Sequence, residues 1–328
     1  MKGFPDVRLR RLRATPGLRG LLEPEPPAWR TMIWPVFLVE GKGHKDAIAT
    51  LPGQYHYSVD TLCADLEPLV AGGLGGILLF GVPNEWIKSK DGAAAASPDG
   101  IVPRAIPRIK DAFPDLPIFT DVCLCSYTSH GHCGPLLQDG RVDNDAALAL
   151  LAATARAHAA AGADGVAPSA MMDGQIQAIR QGLDTAGLSQ TIIMSYAVKF
   201  ASACYGPFRD AAASAPQKGD RLGYQMGPGS VAEALREAEL DEQEGADILM
   251  VKPATFYLDV IAAVRAQSRL PLAAYNVSGE YAMLHALAKS GGGDLHALVR
   301  ENLQAMRRAG ADILITYWAN QYPEMYGE

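Results

Sequence analysis

Residues 248–253 read ILMVKP: four apolar residues in succession, then a lysine, then a proline. A strand with one wet face alternates apolar and polar residues, so a run with no alternation is covered on both faces. Parallel sheets sheathed in helices make such strands. Seven further runs of this kind occur: MIWPVFLV (32–39), GILLFGV (76–82), IFTDVCL (118–124), GVAPSA (165–170), TIIMSY (191–196), LAAYNV (272–277) and ILITYW (313–318). Between them lie stretches with helical spacing, among them VDTLCADLEPLVAGG, DGQIQAIRQGLDTAG, SVAEALREAELDEQEG and HALVRENLQAMRRAG, several closed by glycine just past the helix end. Eight strands each followed by a helix, with no evident linker, predict a single (β/α)8 TIM barrel in the α/β class. A doubly wound open sheet lacks support, because no GxGxxG follows the first run.

Composition is consistent with a large globular chain. Of 328 residues, 48% are hydrophobic and 20% charged, and the formal net charge of −7 argues against nucleic-acid binding, which needs a clustered cationic excess. The basic run RLRRLR (8–13) is short, and glutamates and prolines follow it. It is read as an arm packing on another subunit, over 1–30, with the catalytic barrel spanning 31–328. No apolar segment of signal-peptide type follows the basic run. The alanine-rich stretch 145–163 is interrupted by Arg156 and His158 and reads as a packed helix, not a membrane span. Five cysteines, an odd number with three bunched together, predict a reducing, cytoplasmic setting and metal ligation in place of disulfides.

In a parallel barrel the chemistry sits at strand C-termini. The polar residues that fall there are Asp121, Cys123 and Cys125 after the third run, Ser169 after the fourth, and Tyr196 and Lys199 at the fifth. Lys252 ends the sixth, Tyr275 and Ser278 the seventh, and Tyr317 the eighth. A lysine in apolar surroundings loses hydration, which favours its free amine, and a free amine attacks carbonyls. Lys252 taken alone reads rather as a packed stem with a wet head. Lys199 at the neighbouring strand end changes that balance, since each cation would depress the other. Between the two, FRDAAASAPQKGDRLGYQMGPGS (208–230) is rich in small residues and carries Arg209 and Arg221. It is a candidate lid with a carboxylate-binding arginine pair, or else a solvated surface loop.

The stretch DVCLCSYTSHGHCG (121–134) spaces its thiols Cys123, Cys125 and Cys133 as Cys-x-Cys-x7-Cys. Closed structural zinc sites favour C-x2-C pairs and redox devices C-x-x-C. Three thiolates leave a fourth position, which His130, His132 or water would take.

These residues resemble the porphobilinogen synthase (5-aminolevulinate dehydratase) family, zinc-dependent branch, over nearly the whole chain. Besides DVCLCSYTSHGHCG, the resemblance rests on VAPSAMMDG, SYAVKFASACYGPFRDA, GDRLGYQM, GADILMVKPATFYLD and AYNVSGEYAM. It implies an aldolase-like barrel that joins two 5-aminolevulinate molecules into a pyrrole with loss of two waters, in tetrapyrrole (heme) biosynthesis. It assigns Lys252 as the Schiff-base lysine for the molecule giving the propionate side, and Lys199 for the acetate side. Arg209, Arg221 and Gln225 are implied for the acetate-side carboxylate, and Ser278 and Tyr317 for the propionate-side carboxylate. Asp121 and Ser169 are implied around the propionate-side amine, and Tyr196, Phe208 and Tyr275 as pocket lining. Cys123, Cys125 and Cys133 are implied to hold a catalytic zinc with one open position, which turns attention from the histidines to Asp121. Glu237 matches a position that helps bind an allosteric Mg2+ in bacterial members, and the family assembles as a homo-octamer through the arm. Lys218 stands where an aromatic or apolar residue is expected, Asn276 where glutamine is usual, and SKDGAAAASPDG replaces a Gly-Ser stretch. Two other expectations stay open at this point: a class I aldolase-type lyase with one imine-forming lysine and a structural zinc, and a catalytically inactive metal-binding barrel.

Overall fold

The computed structural model describes residue 3 and residues 5–327. Among the described residues ten strands are formed, in chain order β1 Met32–Leu38, β2 Lys45–Ala47, β3 Tyr55–Tyr57, β4 Gly76–Gly81, β5 Ile118–Val122, β6 Gly165–Pro168, β7 Ile192–Lys199, β8 Ile248–Lys252, β9 Leu272–Asn276 and β10 Ile313–Thr316. Strands β1 and β4 to β10 pair in parallel with their neighbours, and β10 returns to β1 through Met32↔Leu314 and Ile33↔Ile315. The ring is therefore a closed eight-stranded parallel barrel, as the eight runs predict. Every residue of β1, β6, β8 and β9 is buried, which is why those strands read as unbroken apolar runs.

The predicted helices form between the strands. The helix at Val59–Ala71 follows β3, Asn144–Ala160 precedes β6, Gln175–Thr185 precedes β7, Val231–Gln243 precedes β8, and Leu295–Ala309 precedes β10. The last is capped at its start by Asp294, whose side chain accepts from the Ala297 amide, and ends at Gly310 in a left-handed conformation.

Two strands have no counterpart among the predicted runs. β2 and β3 form an antiparallel pair attached to the end of β1 through Phe37↔His56 and Leu38↔Tyr57. They are three residues long and β2 is exposed throughout, so hydrophobic periodicity has nothing to report.

Ahead of the barrel, short helical pieces Leu9–Arg13 and Pro16–Leu22 bury no residue. Pro27 and Trp29 contact the barrel: the Pro27 carbonyl accepts from the Tyr322 hydroxyl at 3.2 Å, and the Trp29 ring stacks on Tyr322 at 5.2 Å while its indole N–H donates to the Ala319 carbonyl at 2.8 Å. Among the described residues, no helix is long and apolar enough to cross a membrane.

Candidate active site

Two lysine side chains meet at the C-terminal mouth of the barrel because of an irregularity in β7. Its pairing with β8 runs Met194↔Ile248 and Ser195↔Leu249, then shifts, and resumes at Val198↔Val251 and Lys199↔Lys252. The extra residue in β7 is a bulge. Without it Val198 would lie opposite Lys252, and Lys199 would turn to the other face of the sheet. The bulge places the two lysine side chains side by side at the ends of β7 and β8.

The Lys252 amine sits against aromatic faces, 4.1 Å from the centre of the Tyr275 ring, 4.9 Å from Tyr196, 5.1 Å from Phe208 and 5.5 Å from Tyr205. The side chain is 5% exposed. Burial, followed by repulsion from Lys199, pushes the Lys252 ammonium well below the ordinary lysine range. Asp121 opposes that shift, but only in part, so the balance moves toward the free amine, the nucleophilic form. The Lys199 amine donates to the Ser169 carbonyl at 2.5 Å and lies 5.5 Å from the Tyr196 ring. Asp121, at the end of β5, is pushed up to about 6 by burial, with the Ser169 side chain and the two lysines restraining the rise. It can hold or release a proton close to neutrality.

Around the amines, buried polar atoms stand without hydrogen-bond partners: Asp121 Oδ1, Arg209 Nε, Arg221 Nε, both amide atoms of Gln225, and the hydroxyls of Tyr196, Tyr275 and Tyr317. Buried polar groups are nearly always satisfied, and an unpaired one costs about 1–3 kcal/mol. Such a concentration at the barrel mouth fits a polar, carboxylate-bearing ligand. Ser278 is already engaged, accepting from the Phe208 amide at 3.0 Å and donating to the Cys204 carbonyl at 3.3 Å.

Cys123, Cys125 and Cys133 converge on the same mouth, with their sulfurs all within 4.8 Å of one another. Cys123 and Cys125 are 3.4 Å apart, and all three residues are buried. Hydrogen bonds from the other two thiols, with the Arg221 and Lys199 cations nearby, pull the Cys133 thiol well below its usual range. A buried trio in which one thiol is favoured toward its ionised form could bind a metal, and the soft donor set suits zinc. Neither histidine joins it. His132 Nδ1 faces the Tyr224 hydroxyl at 3.2 Å and its Nε2 the Lys218 carbonyl at 3.0 Å. His130 Nε2 contacts the Lys90 carbonyl, while its Nδ1 accepts from the His132 amide.

The arginine-bearing segment is folded against the cysteine loop. After the helix Gly206–Ala211, Ser126 donates to the Ala212 carbonyl, the Gln217 amide donates to the His130 carbonyl, and Arg221 Nη2 donates to the carbonyls of Gly131 and Ser214 at 3.0 and 2.6 Å. Arg221 is buried, so the solvated-loop alternative does not describe it. Lys218 is exposed, and the contact it makes with His132 is through its backbone. Gly131 has φ +77°, and a Cβ there would lie 2.3 Å from the Ala215 carbonyl oxygen. Gly131→Ala is expected to cost at least about 1–3 kcal/mol, read as a fall in the urea midpoint. An unchanged midpoint would show that the segment is not held at this point.

Glu237 stands apart from the lysines. It lies on the outer helix Val231–Gln243 and lines a cavity of about 180 Å3 with Asp173, Glu233, Asp241 and Gln225. Burial, with Asp173 and Glu233 next, raises its carboxyl above the usual range. Tyr205 and Tyr224 are contacts that strand-end placement did not bring forward. Tyr205 ends the short 3-10 helix Ala203–Tyr205 and Tyr224 lies in a turn, and neither segment is long enough for a periodicity to mark a residue as facing the site.

The fold and mouth together define a class: a (β/α)8 barrel enzyme with adjacent lysine amines, a convergent set of polar groups and a metal-compatible thiol cluster at the strand C-termini. A family model described as Delta-aminolevulinic acid dehydratase matches residues 6–325. The chain belongs to the delta-aminolevulinic acid dehydratase family, also named porphobilinogen synthase, and is a hydro-lyase of tetrapyrrole biosynthesis. Among its relatives, the delta-aminolevulinic acid dehydratase of Methanothermobacter thermautotrophicus is 51% identical over 99% of this chain and 98% of its own length. That of Halalkalibacterium halodurans is 48% identical over 98% of this chain and 97% of its own. The crystal structure of the Toxoplasma gondii ME49 enzyme in complex with its reaction product porphobilinogen is 42% identical. It superposes with a TM-score of 0.93 over 97% of this chain and 91% of that one.

Proposed function

We propose that this chain condenses two molecules of 5-aminolevulinate to porphobilinogen with loss of two waters, and that Lys252 and Lys199 each hold one molecule as an imine. The observation that carries this is the side-by-side placement of the two amines by the β7 bulge, within a ring of unpartnered polar atoms. Lys252 attacks the ketone carbon of the molecule that becomes the propionate side, and water leaves as the imine forms. Lys199 does the same for the acetate side. Asp121, beside both amines and titrating near 6, receives and returns protons there, with Ser169 as its hydrogen-bond partner.

Arg209, Arg221 and Gln225 bind the acetate-side carboxylate, and Ser278 and Tyr317 the propionate-side carboxylate, which holds the two molecules in reacting register. Tyr196, Phe208 and Tyr275 wall the pocket and keep out water that would hydrolyse the imines. A zinc ion bound by Cys123, Cys125 and Cys133 would supply a Lewis acid beside the acetate-side molecule. The exposed leucines of the arm, Leu9, Leu12, Leu18, Leu21 and Leu22, support a role for residues 1–30 in covering a neighbouring subunit of a cytoplasmic homo-octamer, with 31–328 as the catalytic barrel. The acids around Glu237 support an allosteric Mg2+ at that helix, with the arm of a neighbour nearby.

Incubation with 5-aminolevulinate followed by a colorimetric pyrrole assay tests the activity, and absence of pyrrole from folded, zinc-supplied protein would overturn it. The pH profile carries a second expectation. The Asp121 carboxylate favours the Lys252 ammonium, so Asp121→Asn should let the amine lose its proton more easily. The acid limb of kcat/KM then moves to lower pH, alongside a lower kcat. A move to higher pH would contradict the assigned electrostatics.

A further inference from the structure

Glu280 is buried to 1% exposure, on the helix Ser278–Lys289, and nothing above gives it a part in the reaction. As the third residue of that helix its carboxylate accepts from the Val277 amide at 2.9 Å, a capping arrangement. Capping does not account for its other partners. The same carboxylate accepts from the Thr255 amide at 2.7 Å and the Ala254 amide at 3.5 Å, and these residues lie immediately beyond Lys252–Pro253. It also accepts from Asn276 Nδ2 at 3.2 Å. Asn276 ends β9, and its Oδ1 accepts from the hydroxyl of Thr316, which ends β10 next to Tyr317. Asn302 completes the set, donating to the Thr255 hydroxyl at 3.0 Å while its Oδ1 accepts from Asn276 at 3.2 Å.

One carboxylate thus ties together the ends of β8, β9 and β10. Those are the strand ends that present Lys252, Tyr275, Ser278 and Tyr317, the groups assigned to the propionate-side molecule. The acetate-side groups Lys199, Arg209, Arg221 and Gln225 come from β7 and the segment after it, and none is hydrogen-bonded to this network among the described contacts. We infer that Glu280 is a positioning residue for one half of the site, fixing Lys252 relative to Ser278 and Tyr317 so that amine and carboxylate contacts engage the same molecule. This rests on the two-lysine assignment of the preceding section. A carboxylate suits the task because it offers lone pairs in several directions to backbone donors from two segments, and charge-assisted bonds of this kind are strong. An amide in its place turns a donor toward an N–H.

The test is Glu280→Gln in the full chain, with circular dichroism to establish folding, pyrrole turnover, and borohydride trapping with 5-aminolevulinate followed by peptide mass mapping. In the unaltered protein, adducts at Lys252 and Lys199 bear on the two-lysine assignment. The ratio of the two adducts in the variant bears on Glu280. The expected result is that the Lys252 adduct falls about tenfold relative to the Lys199 adduct, with kcat down by about 10- to 100-fold. An unchanged ratio in a folded variant overturns the inference, because a merely structural residue would weaken both adducts alike. If Glu280→Gln does not fold, Asn276→Ala loosens the same carboxylate while leaving its backbone bonds. A selective loss at Lys252 supports positioning there, and an equal loss at both lysines overturns it. Absence of any adduct on either lysine in the unaltered protein would overturn the two-lysine assignment itself and the inference with it.

Discussion

Lys252→Ala is expected to lower the rate of pyrrole formation by more than about 10^4-fold while the circular dichroism spectrum stays that of the folded barrel. The size of the loss follows from what the amine supplies. It is the nucleophile for one substrate molecule, held against Tyr196, Tyr205, Phe208 and Tyr275, and the neighbouring Lys199 amine, which lies over Tyr196, is assigned to the other molecule. The small effect on folding follows from the same surroundings. Lys252 is buried at a cost in hydration, so removing its amine relieves one penalty while the lost methylenes introduce another, and the net change in stability should stay within about 1–2 kcal/mol. Comparable turnover in the alanine variant would refute the assigned role.

Stripping metal with a chelator should abolish turnover, by at least about 100-fold, and readdition of zinc should restore it. Circular dichroism should change little. In small zinc modules the metal supplies the folding free energy, but here the three cysteines sit at the mouth of a large barrel whose core extends through all eight strands of the closed ring. The thiols lie at the mouth, after β5, where the buried Arg221 also binds the Gly131 carbonyl between them in sequence. Loss of the folded signal on chelation would make the metal structural and favour the aldolase-type alternative with a single imine-forming lysine.

The barrel was legible because parallel strands sheathed on both faces leave an unmistakable apolar run, and all eight such runs became strands of the closed ring. The short pair β2 and β3 was not, since three residues are too few to show a period, and β2 is exposed throughout while β3 is held by pairing with the end of β1. Strand ends also made much of the site legible: Asp121, Lys199, Lys252, Tyr275 and Tyr317 all fall where the fold sends side chains toward the mouth. What no local pattern carried was the bulge that turns Lys199 alongside Lys252, because a bulge is a relation between two strands. The same holds for Tyr224 against His132 and for Glu280 against Ala254 and Thr255, which join segments far apart in the chain. The two histidines show the converse. Their place among the cysteines suggested ligands, yet each ring nitrogen is taken up by an oxygen or an amide in the folded loop.

The claim that two lysines hold the two substrate molecules is tested most directly by adding borohydride to the protein turning over 5-aminolevulinate and mapping the modified peptides by mass. Reduced adducts on the peptides containing Lys252 and Lys199 are the expected result. No adduct on either lysine under turnover conditions would contradict it, and an adduct at Lys252 alone would reduce the chemistry to a single imine.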